Sequence, residues 1–226
     1  MWRLEGLMKK IAAIFDMDGT LIDNNIFHFE AFRELFKMHG FAELTPALYY
    51  EKLSGVPGLE GLKNLLGSRV SDDQLKVLFA EKTENYKRAY APYIKPINGV
   101  EEFLKELKQK GIGTALATSA STGNVDFVFS HLNLRHYFDV IIDNSRLTKG
   151  KPDPEIFFNA ARDLNTDAKN CVVFEDSISG VMAANNAGMK VIALTTTHHA
   201  GELKPVDMLI NDYANISADK ITALFN

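Results

Sequence analysis

Short apolar runs alternate along the chain with longer segments in which apolar residues recur every three or four positions. The first run, 10–15, ends abruptly in polar residues. Continuous apolarity over so few positions is typical of a strand buried on both faces of a parallel sheet. Four more runs share this character, at 113–117, 140–142, 171–174 and 191–194. Strands that alternate with helical patterns predict an α/β fold with a doubly wound, mostly parallel, Rossmann-like sheet.

The segment between the first and second predicted strands breaks this alternation. From about Asn24 to Lys95 it contains helical stripes and no convincing strand. It is too long to be an ordinary crossover connection. We therefore predict an all-helical cap domain over 24–96, inserted into a Rossmann-like core made of 8–23 and 97–226. Because the insertion follows the first strand, we expect it to lie over the carboxyl end of that strand.

Composition narrows the range of functions. The 226 residues include 25 Lys and Arg against 29 Asp and Glu, which gives a formal net charge of −4, and 46% of them are hydrophobic. This balance excludes wholesale disorder and argues against sequence-independent binding of nucleic acid, which relies on dense positive charge. The single cysteine, Cys171, cannot form an internal disulfide or a zinc–thiolate cluster.

The N-terminal residues lack the apolar region of a signal peptide. No apolar run approaches the roughly 18–20 residues that span a bilayer. We therefore expect a cytoplasmic protein that binds neither nucleic acid nor membranes. We also expect it to be a monomer or a weak homodimer.

Carboxylates at the ends of two predicted strands carry the first candidate chemistry. Ligands of open α/β sheets bind outside the carboxyl ends of the strands. Asp16 and Asp18 end the first strand, and Glu175 and Asp176 end the fourth. Four carboxylates that converge on one point would repel each other unless a cation neutralised them. Because all-oxygen ligation suits Mg²⁺, we predict a magnesium site formed by these four residues.

Further polar residues at the strand ends could hold a phosphoryl group. Thr118 and Ser119 end the second strand, and Lys151 lies just before a predicted helix. The Thr118 hydroxyl could bind phosphate oxygens, and Lys151 could offset their charge. Gly19 would let the chain turn sharply away from the sheet with its amides facing the phosphate. These residues favour phosphoryl transfer to or from a small phosphorylated substrate.

Asp16 and Asp18 can divide the chemistry of that transfer. Asp16, at the strand end, can attack phosphorus and form an aspartyl-phosphate. Asp18, in the turn, can protonate the leaving oxygen and later remove a proton from the incoming water.

Four ordered motifs resemble those of the haloacid dehalogenase-like (HAD) superfamily. They are Asp16 to Asp23, Thr118-Ser119, Gly150-Lys151-Pro152 and Phe174-Glu175-Asp176-Ser177. The resemblance covers nearly the whole chain, from residue 10 to about 195, and is greatest to the β-phosphoglucomutase-like and phosphatase branch with a helical cap. It implies that Asp16 is the nucleophile and that Asp18 is the acid/base and a metal ligand through its carbonyl. It also implies that Thr118 and Lys151 hold the phosphoryl group, and that Glu175 and Asp176 bind Mg²⁺.

Cap residues are predicted from the same resemblance to contact the substrate. His28 and the loop that contains Ser54 and Gly55 lie where β-phosphoglucomutase-like caps have a hinge histidine and a substrate-reading loop. A basic residue that the mutase has shortly after this loop is replaced by Gly58, and Lys82 could supply a substitute cation. The alternative is that Lys82 lies on a solvated helix face and that His28 is an ordinary polar helix position.

These inferences favour a Mg²⁺-dependent phosphatase that acts on a small phosphorylated metabolite, with a sugar phosphate as the expected substrate. A sugar phosphomutase of the β-phosphoglucomutase type is the alternative among enzymes. A phospho-receiver signalling domain combines similar residues, but the large insertion and the nucleophile on the first strand argue against it. A catalytically inactive binding protein is disfavoured because every catalytic position is filled.

Overall fold

The computed structural model describes residues 10–53 and 56–226. Within these ranges six strands form one sheet in the order β3-β2-β1-β4-β5-β6, and every neighbouring pair is parallel. The strands are β1 Ala12–Phe15, β2 Gly113–Ala117, β3 Val140–Ile142, β4 Cys171–Glu175, β5 Lys190–Leu194 and β6 Met208–Ile210. From β1 the chain proceeds to one side of the sheet and returns to the other side at β4. The carboxyl ends of β1 and β4 therefore flank the topological switch point.

Alternate residues of β1 pack into two separate hydrophobic layers, one on each face of the sheet. Ala13 and Phe15 face one side of the sheet, where Phe15 stacks on Phe174 at a ring-centroid distance of 4.5 Å. Ala12 and Ile14 face the other side. Because all four residues of β1 are fully buried, this strand forms the centre of the molecule and holds its carboxyl end in a fixed position.

Helices cover both faces of the sheet. On the Phe15 side lie α5 (Val100–Gln109), α6 (Thr122–His131) and α9 (Ala218–Ala223). On the Ile14 side lie α7 (Glu155–Asp163) and α8 (Ile178–Asn186). None of the helices within the described ranges has the length and apolarity needed to cross a bilayer.

The insertion between β1 and β2 is helical and has its own hydrophobic core. Its helices are α1 (Asn25–Met38), α2 (Pro46–Lys52), α3 (Gly58–Leu66) and α4 (Asp72–Tyr90). Ser71 and Gln74 form a capping box that fixes the start of α4. The buried residues shared by these helices form a cluster separate from the two layers of the sheet: Phe29, Phe32, Leu35, Phe36, Leu44, Tyr49, Leu53, Leu62, Leu66, Leu75 and Leu78.

The two chain segments that join the insertion to the sheet run side by side. Ile22 forms an antiparallel bridge with Pro96, and the amide of Ile97 donates to the carbonyl oxygen of Leu21 at 2.8 Å. These contacts bring the entry and exit of the insertion to one point beside the carboxyl end of β1.

The predicted fold class is confirmed, and the five predicted strands are present within one or two residues of their predicted limits. The sequence prediction missed β6. This strand is three residues long, lies at the edge of the sheet and keeps Leu209 37% exposed, so it lacks the continuous apolarity of a buried strand. The predicted domain boundaries stay a prediction, and residues 8 and 9 lie outside the described residues.

Candidate active site

A cavity of about 290 Å³ lies between the carboxyl ends of the strands and the helical insertion. We call its two sides the sheet wall and the insert wall. The sheet wall contains seven of the predicted site residues: Asp16, Asp18, Thr118, Ser119, Lys151, Glu175 and Asp176. The insert wall contains His28 and Lys82 together with a set of apolar residues: Phe32, Leu53, Val56, Pro57, Leu59 and Phe79.

Lys151 joins two carboxylates of the sheet wall. Its Nζ donates to Asp16 Oδ1 at 2.6 Å and to Glu175 Oε1, and all three side chains are less than a tenth exposed. Burial alone would lower the pKa of Lys151, but the charges of Asp16 and Glu175 outweigh burial and raise it above the usual value. Lys151 therefore remains a fixed positive charge at the base of the cavity.

Glu175 is held by the turn that follows β4. Its Oε2 accepts hydrogen bonds from the amides of Asp176 and Ser177 at 2.9 and 2.8 Å and from the Ser177 hydroxyl at 2.9 Å. Gly180 makes room for the carboxylate, because a Cβ at that position would lie 1.8 Å from Oε1. Both oxygens of Glu175 are thus engaged, and its direct partner in the cavity is Lys151.

Asp18 turns toward the insertion. Its Oδ1 accepts from Asn24 Nδ2 at 2.6 Å, and its Oδ2 lies 3.7 Å from His28 Nε2. Burial alone would raise the pKa of Asp18, but His28 and Asn24 outweigh burial and hold the pKa below its ordinary value. The His28 ring stacks on Tyr86 at 4.0 Å, and burial, with the nearby charge of Lys82, lowers the pKa of His28. Asp18 is therefore ionised beside a neutral histidine.

Lys82 is buried in the insert wall. It is 4% exposed, its Nζ lies 2.7 Å from His28 Nδ1, and the same atom lies 4.4 Å from the centre of the Phe32 ring. Burial lowers the pKa of Lys82 to about 7. The alternative interpretation of Lys82 as a solvated residue is wrong, because α4 packs this face against α1. His28 likewise lines the cavity rather than occupying a surface position.

The four carboxylates do not converge on one point as the sequence analysis expected. Within the described ranges no three His, Cys, Asp or Glu side chains are grouped so as to hold a metal ion. Glu175 faces Lys151 and Asp18 faces Asn24, which leaves Asp16 and Asp176 as the acidic pair. Burial raises the pKa of Asp16 to about 7, although Lys151 opposes the shift.

Asp176 is the second acidic group at this edge of the sheet. Burial, followed by the charges of Glu175 and Asp16, raises the pKa of Asp176 well above its ordinary value. Asp16 and Asp176 are thus both buried with raised pKa values, and the charge of Asp16 contributes to the shift of Asp176. Such a pair forms an oxygen donor set that a divalent cation would stabilise. The donor chemistry therefore fits Mg²⁺, with fewer carboxylates than predicted.

Gly19 makes the predicted sharp turn after β1, but its own amide does not face the cavity. Its amide donates to the carbonyl oxygen of Ile22 at 2.7 Å, so it serves the turn and not a phosphate. Its φ of +75° favours glycine, and a Cβ there would lie 1.9 Å from Asp176 Oδ2. Gly19 thus allows the turn after β1 to pack directly against Asp176.

Thr118 and Ser119 reach the cavity from the end of β2. Thr118 Oγ1 accepts from the amide of Ala120 at 3.1 Å, which leaves its hydroxyl hydrogen available to a ligand. Ser119 Oγ is buried without a hydrogen-bond partner among the described residues. An unpaired buried hydroxyl is costly unless a ligand or water satisfies it, so both hydroxyls suit contact with a polar substrate.

Several residues of the cavity were not predictable from the sequence. Asn25, Tyr49, Asn124 and Asn144 line it, and no motif or periodic pattern distinguishes these side chains from their neighbours. Ser54 and Gly55, predicted to contact substrate, lie outside the described residues.

Gly58 is fixed by its neighbour in α4. A Cβ at this position would lie 2.4 Å from Cε2 of Phe79. The Phe79 ring thus occupies the space into which a side chain at position 58 would extend. A side chain at position 58 would therefore require the Phe79 ring to move.

Comparisons with known proteins agree with this geometry. The sequence pattern of the family described as "Haloacid dehalogenase-like hydrolase" matches residues 13–194. A phosphorylated carbohydrates phosphatase of Thermotoga maritima is 39% identical over 181 residues, which cover 80% of this chain and 83% of the relative. A validoxylamine A 7′-phosphate phosphatase of Streptomyces hygroscopicus is 30% identical over 204 residues, covering 90% and 94% of the two chains.

A solved structure supports the same placement. The β-phosphoglucomutase of Clostridium difficile superposes with a TM-score of 0.86 at 25% identity, over 96% of this chain and 97% of that one. This structural match agrees with the family match and with the two phosphatase relatives. The strand-end residues of the sheet wall agree with the same assignment. The chain belongs to the haloacid dehalogenase-like hydrolases and is an enzyme of their phosphatase and β-phosphoglucomutase-like subgroup.

Proposed function

We propose that this enzyme is a Mg²⁺-dependent phosphatase that hydrolyses small carbohydrates carrying one phosphate, through an aspartyl-phosphate on Asp16. The observation that carries the proposal is the buried contact of Asp16 with Lys151 at the base of the cavity, with Asp18 beside it. Phosphoryl transfer depends chiefly on positioning and on electrostatic stabilisation, and this arrangement provides both.

In the first half-reaction Asp16 attacks phosphorus. Lys151 holds Oδ1, so Oδ2 forms the new bond to phosphorus while the bond to the sugar oxygen breaks. Asp18 donates the proton that the leaving oxygen requires. A phosphate dianion that enters beside Asp18 adds negative charge, and this charge favours protonation of the Asp18 carboxyl group.

In the second half-reaction water attacks the aspartyl-phosphate. Asp18 is then ionised, as its lowered pKa favours, and it accepts a proton from the water. The Thr118 hydroxyl and Lys151 hold the phosphoryl oxygens during both steps, and Ser119 contacts the substrate. Inorganic phosphate leaves and Asp16 is restored.

Asp16 and Asp176 would hold Mg²⁺ through their carboxylates, with Asp18 contributing its backbone carbonyl. Bound there, the cation would offset negative charge on the phosphoryl group. The raised pKa values of the two carboxylates support this assignment, because they reflect buried negative charge without sufficient compensation. We assign Glu175 to the support of Lys151 rather than to the metal.

The insert wall supports a substrate with a single phosphate. Among its described residues Lys82 is the only lysine or arginine, and a pKa of about 7 leaves it only partly charged at neutral pH. A second phosphate would need a fully charged partner to offset its desolvation. The apolar residues suit the carbon face of a sugar, and both phosphatase relatives act on phosphorylated compounds by name.

A sugar phosphomutase is the second candidate, favoured by the structural similarity to β-phosphoglucomutase. In a mutase the phosphoenzyme phosphorylates a sugar phosphate instead of water. Phosphorus NMR with glucose 1-phosphate, Mg²⁺ and a catalytic amount of glucose 1,6-bisphosphate separates the two functions. We expect release of inorganic phosphate to exceed formation of glucose 6-phosphate. Mutase flux above phosphate release would overturn the proposed phosphatase.

A panel of sugar monophosphates, sugar bisphosphates and nucleotides, assayed with Mg²⁺ and with excess chelator, tests substrate class and metal dependence. We expect the sugar monophosphates to be the best substrates, and we expect chelator to abolish turnover until Mg²⁺ is restored. Undiminished turnover in chelator would remove Mg²⁺ from the proposal. Nucleotides as the best substrates would remove carbohydrates from it.

A further inference from the structure

Two threonine hydroxyls that take no part in the proposed mechanism lie against the metal-binding edge of the sheet. Thr196 and Thr197 belong to the turn that follows β5. Thr196 Oγ1 donates to the carbonyl oxygen of Gly19 at 2.5 Å, and Thr197 Oγ1 donates to Oδ2 of Asp176. A single turn therefore contacts both the loop after β1 and the carboxylate after β4.

The hydrogen bonds of Thr197 have a defined direction. Thr197 Oγ1 is the donor to Asp176 Oδ2. When Asp176 binds a cation its ionised carboxylate only accepts hydrogen bonds, so Thr197 gives its one hydroxyl hydrogen to Asp176. The lone pairs of Thr197 are then left for a donor, and Asn25 Nδ2 donates to Oγ1 at 2.5 Å. Asn25 is the first residue of α1. A chain of hydrogen bonds thus runs from the helical insertion through Thr197 to Asp176.

The Asp176 carboxylate is confined on both of its oxygens. Thr20 Oγ1 donates to Oδ1 at 3.2 Å, opposite the contact with Thr197. The Gly19 backbone lies so close to Oδ2 that even a methyl group could not fit between them. With Asp176 only 3% exposed, two hydroxyl groups and one glycine fix the rotation of its carboxylate.

We infer that Thr197, oriented by Asn25, is a positioning residue for Asp176 and thereby sets the affinity of the site for a divalent cation. The inference rests on the proposed function, because it takes Asp176 to be a metal ligand. Loss of a hydrogen bond to a metal-ligating group typically lowers metal affinity by about 10–100-fold. Because Asn25 belongs to the insertion, the affinity for metal depends on a residue outside the sheet.

Calorimetric titration of the full chain with MgCl₂, without substrate, tests the inference. Thr197→Val keeps the shape of the side chain and removes the hydroxyl, whereas Thr197→Ser keeps the hydroxyl. Thr195→Val is the matched control, since Thr195 lies in the same turn and donates to Asn211 Oδ1 at 2.6 Å. We expect the Kd for Mg²⁺ to rise at least about tenfold in Thr197→Val and to stay within about threefold of the parent in the other two variants.

Asn25→Ala provides a second, independent test. We expect it to weaken Mg²⁺ binding by about three- to tenfold, because Thr197 loses the donor that orients it. Asn25 is partly exposed, so we expect Asn25→Ala to fold. Its affinity for Mg²⁺ therefore tests the inference if Thr197→Val does not fold.

Three outcomes have distinct meanings. Parental Mg²⁺ affinity in Thr197→Val, or in Asn25→Ala if that variant must decide, overturns the inference. Equal weakening in Thr197→Val and Thr197→Ser also overturns it, because packing and not the hydroxyl would then be responsible. A parent enzyme that binds no Mg²⁺ at all overturns the metal site of the proposed function instead.

Discussion

The two walls of the cavity each contain a buried lysine, and their surroundings move the two pKa values in opposite directions. Lys151 contacts two carboxylates, and its pKa rises above the ordinary value. Lys82 contacts a histidine and an aromatic ring, and its pKa falls to about 7. The sheet wall therefore keeps a permanent positive charge, whereas the lysine of the insert wall is only partly charged at neutral pH.

Removal of the nucleophile on the sheet wall has the largest expected effect. Asp16→Asn should lower kcat at least about a thousandfold, because an amide cannot form the phosphoenzyme. Thermal unfolding should show that the variant still folds. The control is Asp219→Asn, an exposed position on α9, which should retain parental kcat. Turnover of Asp16→Asn within tenfold of the parent would contradict its role.

Lys151→Met removes the permanent positive charge of the sheet wall. It leaves Asp16 and Glu175 as unpaired buried carboxylates, so we expect a loss of stability of about 3–5 kcal/mol. We also expect kcat/KM to fall at least about a hundredfold. Denaturant unfolding and steady-state kinetics measure the two effects. Lys149→Met, an exposed position in the same loop, is the control. A stable and active Lys151→Met would refute the pairing.

The same substitution on the insert wall should have a much smaller effect on activity. We expect Lys82→Met to lower kcat/KM about tenfold, mainly through KM, because it removes a charge-assisted contact to the substrate. Lys76→Met is the matched control on α4, where the lysine is exposed. If Lys82→Met leaves KM unchanged, Lys82 does not contact the substrate.

The free energy of unfolding should depend on pH through the titration of Lys82. The pKa of Lys82 is about 7 in the folded protein and about 10.4 in the unfolded chain. Below pH 7 both states are protonated and the folded state carries the full cost of the buried charge. Between these two pKa values the unfolded chain binds more protons, so the parent gains stability as pH rises.

Lys82→Met lacks this titration. At pH 6 we therefore expect it to be more stable than the parent by about 1–3 kcal/mol, with the difference shrinking toward pH 10. Denaturant unfolding of both proteins at pH 6, 8 and 10, without substrate, measures the difference. A difference in free energy of unfolding that does not change with pH would show that the pKa of Lys82 is the same in the folded protein as in the unfolded chain.

The sheet wall was largely predictable from sequence, and the reason is geometric. A fully apolar run fixes a buried strand, and the first polar residue after it must emerge at the carboxyl edge of the sheet. Asp16, Thr118 and Glu175 all follow this rule. Their assigned chemical roles stay predictions.

Contacts that depend on side-chain direction could not be predicted in the same way. The sequence alone does not show that the turn after β4 holds Glu175 toward Lys151, and the role of Glu175 as a metal ligand stays a prediction. Thr197 lies far from Asp176 in sequence and belongs to no motif. The burial of Lys82 follows from how α4 packs on α1, and a charged residue on a helix gives no indication of such packing.

The paired segments at Ile22 and Pro96 have a consequence for how this enzyme can diversify. Because the insertion enters and leaves the sheet at one point, a short loop could bridge β1 and α5 without moving either element. Insertions whose ends lie together can be exchanged without disturbing the host fold. The insertion, and with it the insert wall, can therefore be replaced as one segment, while the sheet wall keeps its residues in place.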